Sequence, residues 1–185
     1  MPINLPNLIT ISRILMVPFT VWLIISGAYT AAFAIFLLAG ISDAVDGFLA
    51  RRFAAQTELG AYLDPLADKA LLVSIYVSLA ANALMPVWLA ILVATRDVLI
   101  VGAVVLARLM DRPVAMKPLW ISKLNTTAQI VYAGTTLGLL GFDITADLVL
   151  QMCIAIVAFL TVASGGLYMQ AWVRHMTGMA KDNRA

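Results

Sequence analysis

Six apolar stretches of roughly 20 residues, parted by short polar breaks, leave this chain few ways to fold. A helix of that length crosses ~30 Å of hydrocarbon. Of the 185 residues 63% are hydrophobic and only 12% are charged, about half the charge of an ordinary soluble domain. Such a surface is matched to lipid rather than water. The expected fold is an all-α polytopic membrane protein, a six-transmembrane-helix bundle in which residues 1–185 form a single transmembrane domain.

The spans are expected at Ile9–Ser26, Thr30–Ala50, Tyr62–Ala81, Val87–Ala107, Trp120–Leu140 and Ala146–Trp172. Three connections, from Gly27 to Thr30, from Asn82 to Pro86 and from Gly141 to Asp147, contain no Lys or Arg. Arg51, Arg52, Arg108, Arg112, Lys117, Lys123 and the C-terminal Arg174, Lys181 and Arg184 fall on the opposite side. Positive charge marks the cytoplasmic face, so both termini are placed there. Trp22 and Trp88 fall near the outer boundary, Trp120 and Trp172 near the inner one, where indole rings anchor at headgroup level. No basic segment precedes the first apolar run, which reads as a retained span rather than a cleaved signal. The compact length suggests a bacterial inner membrane, with a processed organellar enzyme the alternative, and no nucleic-acid partner is expected.

Against this background four carboxylates stand out. Asp43, Asp46, Asp64 and Asp68 lie within 26 residues and account for four of the nine aspartates. Ionisable groups at membrane depth face a polar cavity or one another, and clustered anions need compensating charge to stay ionised. Carboxylate oxygens suit hard divalent cations such as Mg²⁺. With one cysteine (Cys153, in an apolar run) and one histidine (His175, beside Arg174), neither a disulfide within the chain nor a thiolate or imidazole cluster can form. Asp43 and Asp46 are three apart and Asp64 and Asp68 four apart, so each pair shares a helix face. Two such helices packed antiparallel bring all four to one pocket. Gly47 and Gly60 allow close backbone approach, and Arg51 suits an anionic phosphate. A plainer assignment makes them loop acids at helix ends, with Asp64 capping the third helix ahead of Pro65. It accounts for one or two of the four.

The pattern D-x2-D-G-x2-A-R-x8-G-x3-D-x3-D, carried by Asp43, Asp46, Gly47, Ala50, Arg51, Gly60, Asp64 and Asp68, resembles the signature of the CDP-alcohol phosphatidyltransferase family. The resemblance implies transfer of a phosphatidyl group from a CDP-linked lipid to an alcohol, with release of CMP. It implies two divalent ions, Mg²⁺ or Mn²⁺, held by Asp43, Asp46 and Asp64, with Asp68 completing the metal site or serving as general base. Gly47, Ala50 and Gly60 are then the nucleotide's surroundings, Arg51 a phosphate contact, and a homodimer in the lipid bilayer the expected assembly. The alternative from another class is a cation transporter that uses the aspartates as an ion path.

The acceptor rests on further segments. Asn7-Leu-Ile-Thr10-Ile-Ser-Arg13 is similar to a pattern shared by family members that make phosphatidylglycerophosphate and those that make cardiolipin. Thr95-Arg96-Asp97-Val-Leu-Ile100 and Ile121-Ser122-Lys123-Leu-Asn125-Thr126-Thr-Ala-Gln129 most resemble the eukaryotic-type, cardiolipin-forming branch. Relatives that use glycerol 3-phosphate more often carry a lysine where Asn125 stands. The resemblance thus implies CDP-diacylglycerol as donor and phosphatidylglycerol as acceptor, with sn-glycerol 3-phosphate the alternative. Arg96, Asp97, Lys123 and Asn125 are the acceptor-binding candidates. Arg96 and Asp97 are adjacent on one helix, where side chains point apart, so a mutual pair is not assured. Lys123 serves equally as an acceptor-phosphate ligand or a mark of the cytoplasmic boundary, while Lys69, a boundary charge or a phosphate ligand, is not counted among the candidates.

Overall fold

The computed structural model describes the backbone of residues 5–53, 58–109 and 120–176; side chains are described over most of this range, excepting 5–14, 43–53, 58–68, 104–105, 107–109 and 175–176. The described residues form six α-helices and no strands: α1 (Leu5–Ile25), α2 (Tyr29–Phe53), α3 (Glu58–Ala81), α4 (Val87–Leu109), α5 (Trp120–Gly141) and α6 (Asp147–Met176). Each expected span lies almost wholly within one helix. Helices run further than their apolar stretches, α1 from Leu5 rather than Ile9, α2 past Ala50 to Phe53, α3 from Glu58 rather than Tyr62 and α6 past Trp172 to Met176. Hydropathy marks only the apolar part of a helix, whereas backbone hydrogen bonding carries it on through the polar turns. Asp64 therefore stands six residues inside α3, which removes the capping role considered for it.

The packing order closes a ring. α1 lies against both α2 and α3, α2 against α5, α5 against α6, α6 against α4, and α4 against α3. Across the middle α3 also meets α5. There Tyr76 and Tyr132 pack edge to face with ring centroids 5.9 Å apart, and the Tyr76 hydroxyl donates to the Gln129 backbone carbonyl over 3.1 Å. Ile24, Ile75, Leu79, Leu89 and Leu137 complete this core with no exposure. Cys153 is half-buried against the core, a small apolar residue as expected.

The three connections on the cation-free side share one solution to helix termination. At each, an amide reaches back five residues: Ala28 to the Leu23 carbonyl, Leu84 to Leu79, and Ile144 to Leu139. The residue before it takes positive φ, Gly27 at 77°, Ala83 at 56° and Asp143 at 54°. This is the Schellman arrangement, which satisfies carbonyls that a helix end would otherwise strand. The α2–α5 seam is closed by small residues. A Cβ at Gly141 would lie 2.9 Å from both Cα and N of Thr30, whose hydroxyl donates to the Gly141 carbonyl over 2.6 Å. Gly134 and Gly138 receive the Phe36 and Phe33 rings.

Outward-facing positions are apolar: Leu148, Phe159, Val98 and Leu15 are each about two-thirds exposed or more. Soluble monomers rarely show contiguous apolar surface on this scale. Hydroxyls in the same helices are returned to their own backbone, as with Thr20 to Met16, Ser78 to Ser74 and Thr136 to Tyr132. Among the described residues one helix, Asp147–Arg174, is long and apolar enough by itself to cross a membrane. The apolar segments Leu15–Ile25, Tyr29–Ser42 and Lys69–Ala81 are shorter. Trp22, Trp88 and Trp120 are exposed, whereas Trp172 donates its indole N–H to the Ala103 carbonyl over 3.1 Å and so pins α6 to α4.

Candidate active site

Helix bounds give the distance of each aspartate from its own helix end. At 1.5 Å per residue, Asp46 lies about 10 Å and Asp43 about 15 Å from the end of α2 at Phe53. Asp64 lies about 9 Å and Asp68 about 15 Å into α3 from Glu58. Residues 54–57 join those two helix ends and can span at most about 18 Å. Asp46 and Asp64 thus lie at similar distances from their own helix ends, and Asp43 and Asp68 about one turn further in; among the described residues α2 and α3 are not in direct contact. Gly47, Ala50 and Arg51 lie on the final turns of α2, and Gly60 on the first turn of α3. The side chains of these eight positions lie outside the described residues. Among the residues whose side chains are described, no group of three potential metal ligands occurs.

One step past Asp68 the described site begins. The Lys69 ammonium on α3 lies 2.9 Å from Oδ2 of Asp97 on α4. The other carboxylate oxygen accepts from Nη1 of Arg96 over 2.7 Å. Nη2 of Arg96 then donates to Ser122 on α5 over 2.5 Å and to Ser164 on α6 over 2.6 Å. Tyr168 sets its ring 5.9 Å from the guanidinium carbon. A single polar chain therefore links α3, α4, α5 and α6. The adjacent Arg96 and Asp97 do pair, contrary to the divergence of neighbouring side chains on a helix. The flexible arginine stem swings its head back to the carboxylate while the serines fix its other edge. These bonds satisfy much of the buried guanidinium, as a buried ion pair requires, but its Nε is buried without a hydrogen-bond partner among the described residues.

Asn125 sits one turn further along α5. Its Oδ1 accepts the Thr161 hydroxyl over 2.9 Å, and neither side chain is accessible. α5 and α6 run antiparallel in strict register here, Ser122 level with Ser164 and Asn125 level with Thr161. Lys123 falls on another face, exposed, with its ammonium 5.6 Å from the Trp120 ring. Of the four acceptor candidates, the structure brings Arg96 and Asp97 together, seals Asn125 into the α5–α6 seam and leaves Lys123 at the rim. Sequence reasoning missed Ser164 and Thr161 altogether. A lone hydroxyl in an apolar helix ordinarily bonds its own backbone, so no local signal marked them.

A sequence model of the family described as CDP-alcohol phosphatidyltransferase matches residues 3–163. The chain belongs to that family. Among curated relatives of this CDP-alcohol phosphatidyltransferase, human cardiolipin synthase (CMP-forming) is 36% identical over 183 residues, covering 90% of this chain and 61% of the human protein. A probable phosphatidylglycerophosphate synthase of Mycobacterium tuberculosis H37Rv is 35% identical over 182 residues, 95% of this chain and 85% of its own. The Escherichia coli CDP-diacylglycerol–glycerol-3-phosphate 3-phosphatidyltransferase is 36% identical over 137 residues, 71% of this chain and 75% of its own. The chain spans about three-fifths of the human relative's length. All three relatives are named as enzymes of phosphatidyl transfer or synthesis, and the cation-transport alternative is set aside.

Proposed function

We propose that this chain is a cardiolipin synthase of the CDP-diacylglycerol-dependent kind. A free hydroxyl of phosphatidylglycerol attacks the phosphatidyl phosphorus of CDP-diacylglycerol. The new P–O bond forms as the bond to CMP breaks, and the hydroxyl proton passes to a base. Asp68 is assigned as that base, one turn further into α3 than Asp64. Arg51 is assigned to the donor's phosphates, and Gly47, Ala50 and Gly60 to the space the nucleotide needs. The donor set of four carboxylates, with no competing thiolate or imidazole nearby in sequence, fits hard divalent ions. Two Mg²⁺ or Mn²⁺ ions held by Asp43, Asp46 and Asp64, with Asp68 at the margin, would supply charge neutralisation at the pyrophosphate.

One observation carries the choice of acceptor. Position 125, a lysine more often in the branch that uses glycerol 3-phosphate, here holds an amide with no exposure, bonded to Thr161. An ammonium buried there incurs a desolvation cost unless an anion comes to meet it. Sealed in the α5–α6 seam, Asn125 does not itself meet the acceptor; it bears on the choice through the absent cation, and a site with one fewer positive charge suits a lipid acceptor that carries a single negative charge better than a dianionic phosphomonoester. The second reading, phosphatidylglycerophosphate synthase, is favoured by the mycobacterial relative, whose alignment covers most of both chains.

The same proposal includes the setting. The six helices cross the bilayer with both termini and the aspartates on the cytoplasmic side, supported by the apolar outward face and by the cation-free connections opposite. The enzyme works there as a homodimer, an assembly carried over from the family resemblance. The test is CMP release from CDP-diacylglycerol by purified protein in mixed micelles. Release that requires phosphatidylglycerol and Mg²⁺ or Mn²⁺, and disappears in Asp64→Asn, supports the reading. Release that is indifferent to phosphatidylglycerol contradicts it.

A further inference from the structure

We propose that Lys69 receives the phosphate group of the acceptor, and that Asp97 is the positioning residue that holds its ammonium in place. The inference rests on the phosphatidyl-transfer reading above and adds to it a residue which that reading leaves unused. Exposure rises steadily along the polar chain: the Arg96 side chain is 6% exposed, Asp97 14% and Lys69 43%. The buried end is the anchored one, since the Arg96 fork is fixed at once by Asp97, Ser122 and Ser164. The open end is an ammonium.

Charge points the same way. Among the described residues of this polar chain two cations face one carboxylate, and the accessible cation is Lys69. A lysine at the end of an apolar helical segment ordinarily extends its stem toward water. This one is instead tied at 2.9 Å to a carboxylate on the neighbouring helix. An ammonium has three N–H donors, and the Asp97 oxygen takes one. Donors remain for a phosphate oxygen, and much of the side chain's freedom is already lost before a ligand arrives. Lys69 also follows Asp68, the assigned base, directly on α3. The ligand chemistry is a phosphate close to a free hydroxyl, the diester of phosphatidylglycerol or the monoester of sn-glycerol 3-phosphate.

The full chain in mixed micelles decides it, with Lys69→Gln, Lys69→Arg and Asp97→Asn beside the wild type. Acceptor is titrated at saturating donor and donor at saturating acceptor. In parallel, unfolding midpoints are followed without donor while phosphatidylglycerol, sn-glycerol 3-phosphate or phosphate-free glycerol is added. Lys69→Gln is expected to raise the acceptor KM about 10- to 100-fold, the weight of one charge-assisted hydrogen bond, and to leave the donor KM within about twofold. Lys69→Arg should stay near wild type, and Asp97→Asn should raise the acceptor KM by a smaller factor. The midpoint shift given by the true acceptor should vanish in Lys69→Gln, while glycerol shifts neither protein. An unchanged acceptor KM, or an equal rise in both KM values, overturns the proposal. So does a midpoint shift that survives in Lys69→Gln, or the absence of any shift in the wild type with either phosphate-bearing alcohol. If the wild type turns over neither acceptor, the phosphatidyl-transfer reading fails by itself and the midpoint comparison still judges Lys69. Should Lys69→Gln not fold, Asp97→Asn and Lys69→Arg decide through the same KM split: a rise confined to the acceptor in Asp97→Asn supports the proposal, and no such rise overturns it.

Discussion

Thr161 on α6 donates its hydroxyl to Oδ1 of Asn125 on α5 over 2.9 Å, at a point in the helix seam that solvent does not reach. Hydrogen bonds between membrane helices contribute modestly, because the unfolded chain in lipid also finds partners. Thr161→Val should therefore cost about 0.5–1.5 kcal/mol, read as a lower unfolding midpoint in mild detergent. Thr161→Ser, which keeps the donor, should cost less. Asn125→Lys should cost more than Thr161→Val, since it buries an ammonium where the structure supplies only a hydroxyl.

Arg96 is expected to tolerate no conservative replacement. Its planar fork spans Asp97, Ser122 and Ser164, whereas a lysine places one compact charge on a flexible stem. Arg96→Lys should lower kcat/KM for the acceptor by at least about tenfold, as the loss of one charged hydrogen bond implies. Arg96→Met leaves Asp97 without its buried partner and should reduce stability on the order of 3 kcal/mol. Steady-state kinetics and detergent unfolding on the same preparations check both.

The helix caps yield a prediction of opposite sign. Ala83 holds φ at 56°, a left-handed conformation that costs an L-residue with a Cβ about 1 kcal/mol or more. Ala83→Gly should raise the unfolding midpoint slightly, by the equivalent of about 0.5 kcal/mol once the extra freedom of glycine in the unfolded chain is counted. Gly27, at 77°, should show the reverse, with Gly27→Ala losing about 1 kcal/mol.

Chelation and the aspartate variants test the assigned metal site. EDTA should abolish CMP release, and added Mg²⁺ or Mn²⁺ should restore it. Asp43→Asn, Asp46→Asn and Asp64→Asn should weaken metal-dependent binding of CDP-diacylglycerol. Asp68→Asn should abolish turnover while much of that binding survives. A fully active Asp68→Asn enzyme would remove Asp68 from the role of base.

The helices were legible in the sequence because each is announced by a long apolar run, and a run such as Val87–Ala107 is long enough to fix its element without tertiary context. Their polar extensions were not, since hydropathy is silent where Arg51 and Glu58 continue a helix by hydrogen bonding alone. The aspartate motif stands out as a pattern because spacing along a helix translates directly into a shared face; its side chains lie outside the described residues. The polar chain through Arg96 could not. Ser164 lies 68 residues from Arg96, and only the packing of α6 against α4 shows that the two meet. Lys69 was visible as a charge, but its partner Asp97 stands on another helix, so its fixed position emerges from packing.

Which alcohol accepts the phosphatidyl group is the central question. The most direct measurement pairs two reactions of purified protein with CDP-diacylglycerol and Mg²⁺ or Mn²⁺, one given phosphatidylglycerol and the other sn-glycerol 3-phosphate, with lipid products and CMP read by mass spectrometry. Cardiolipin and equimolar CMP in the first reaction, with neither phosphatidylglycerophosphate nor excess CMP in the second, is the predicted result. Phosphatidylglycerophosphate in the second reaction and no cardiolipin in the first would contradict it.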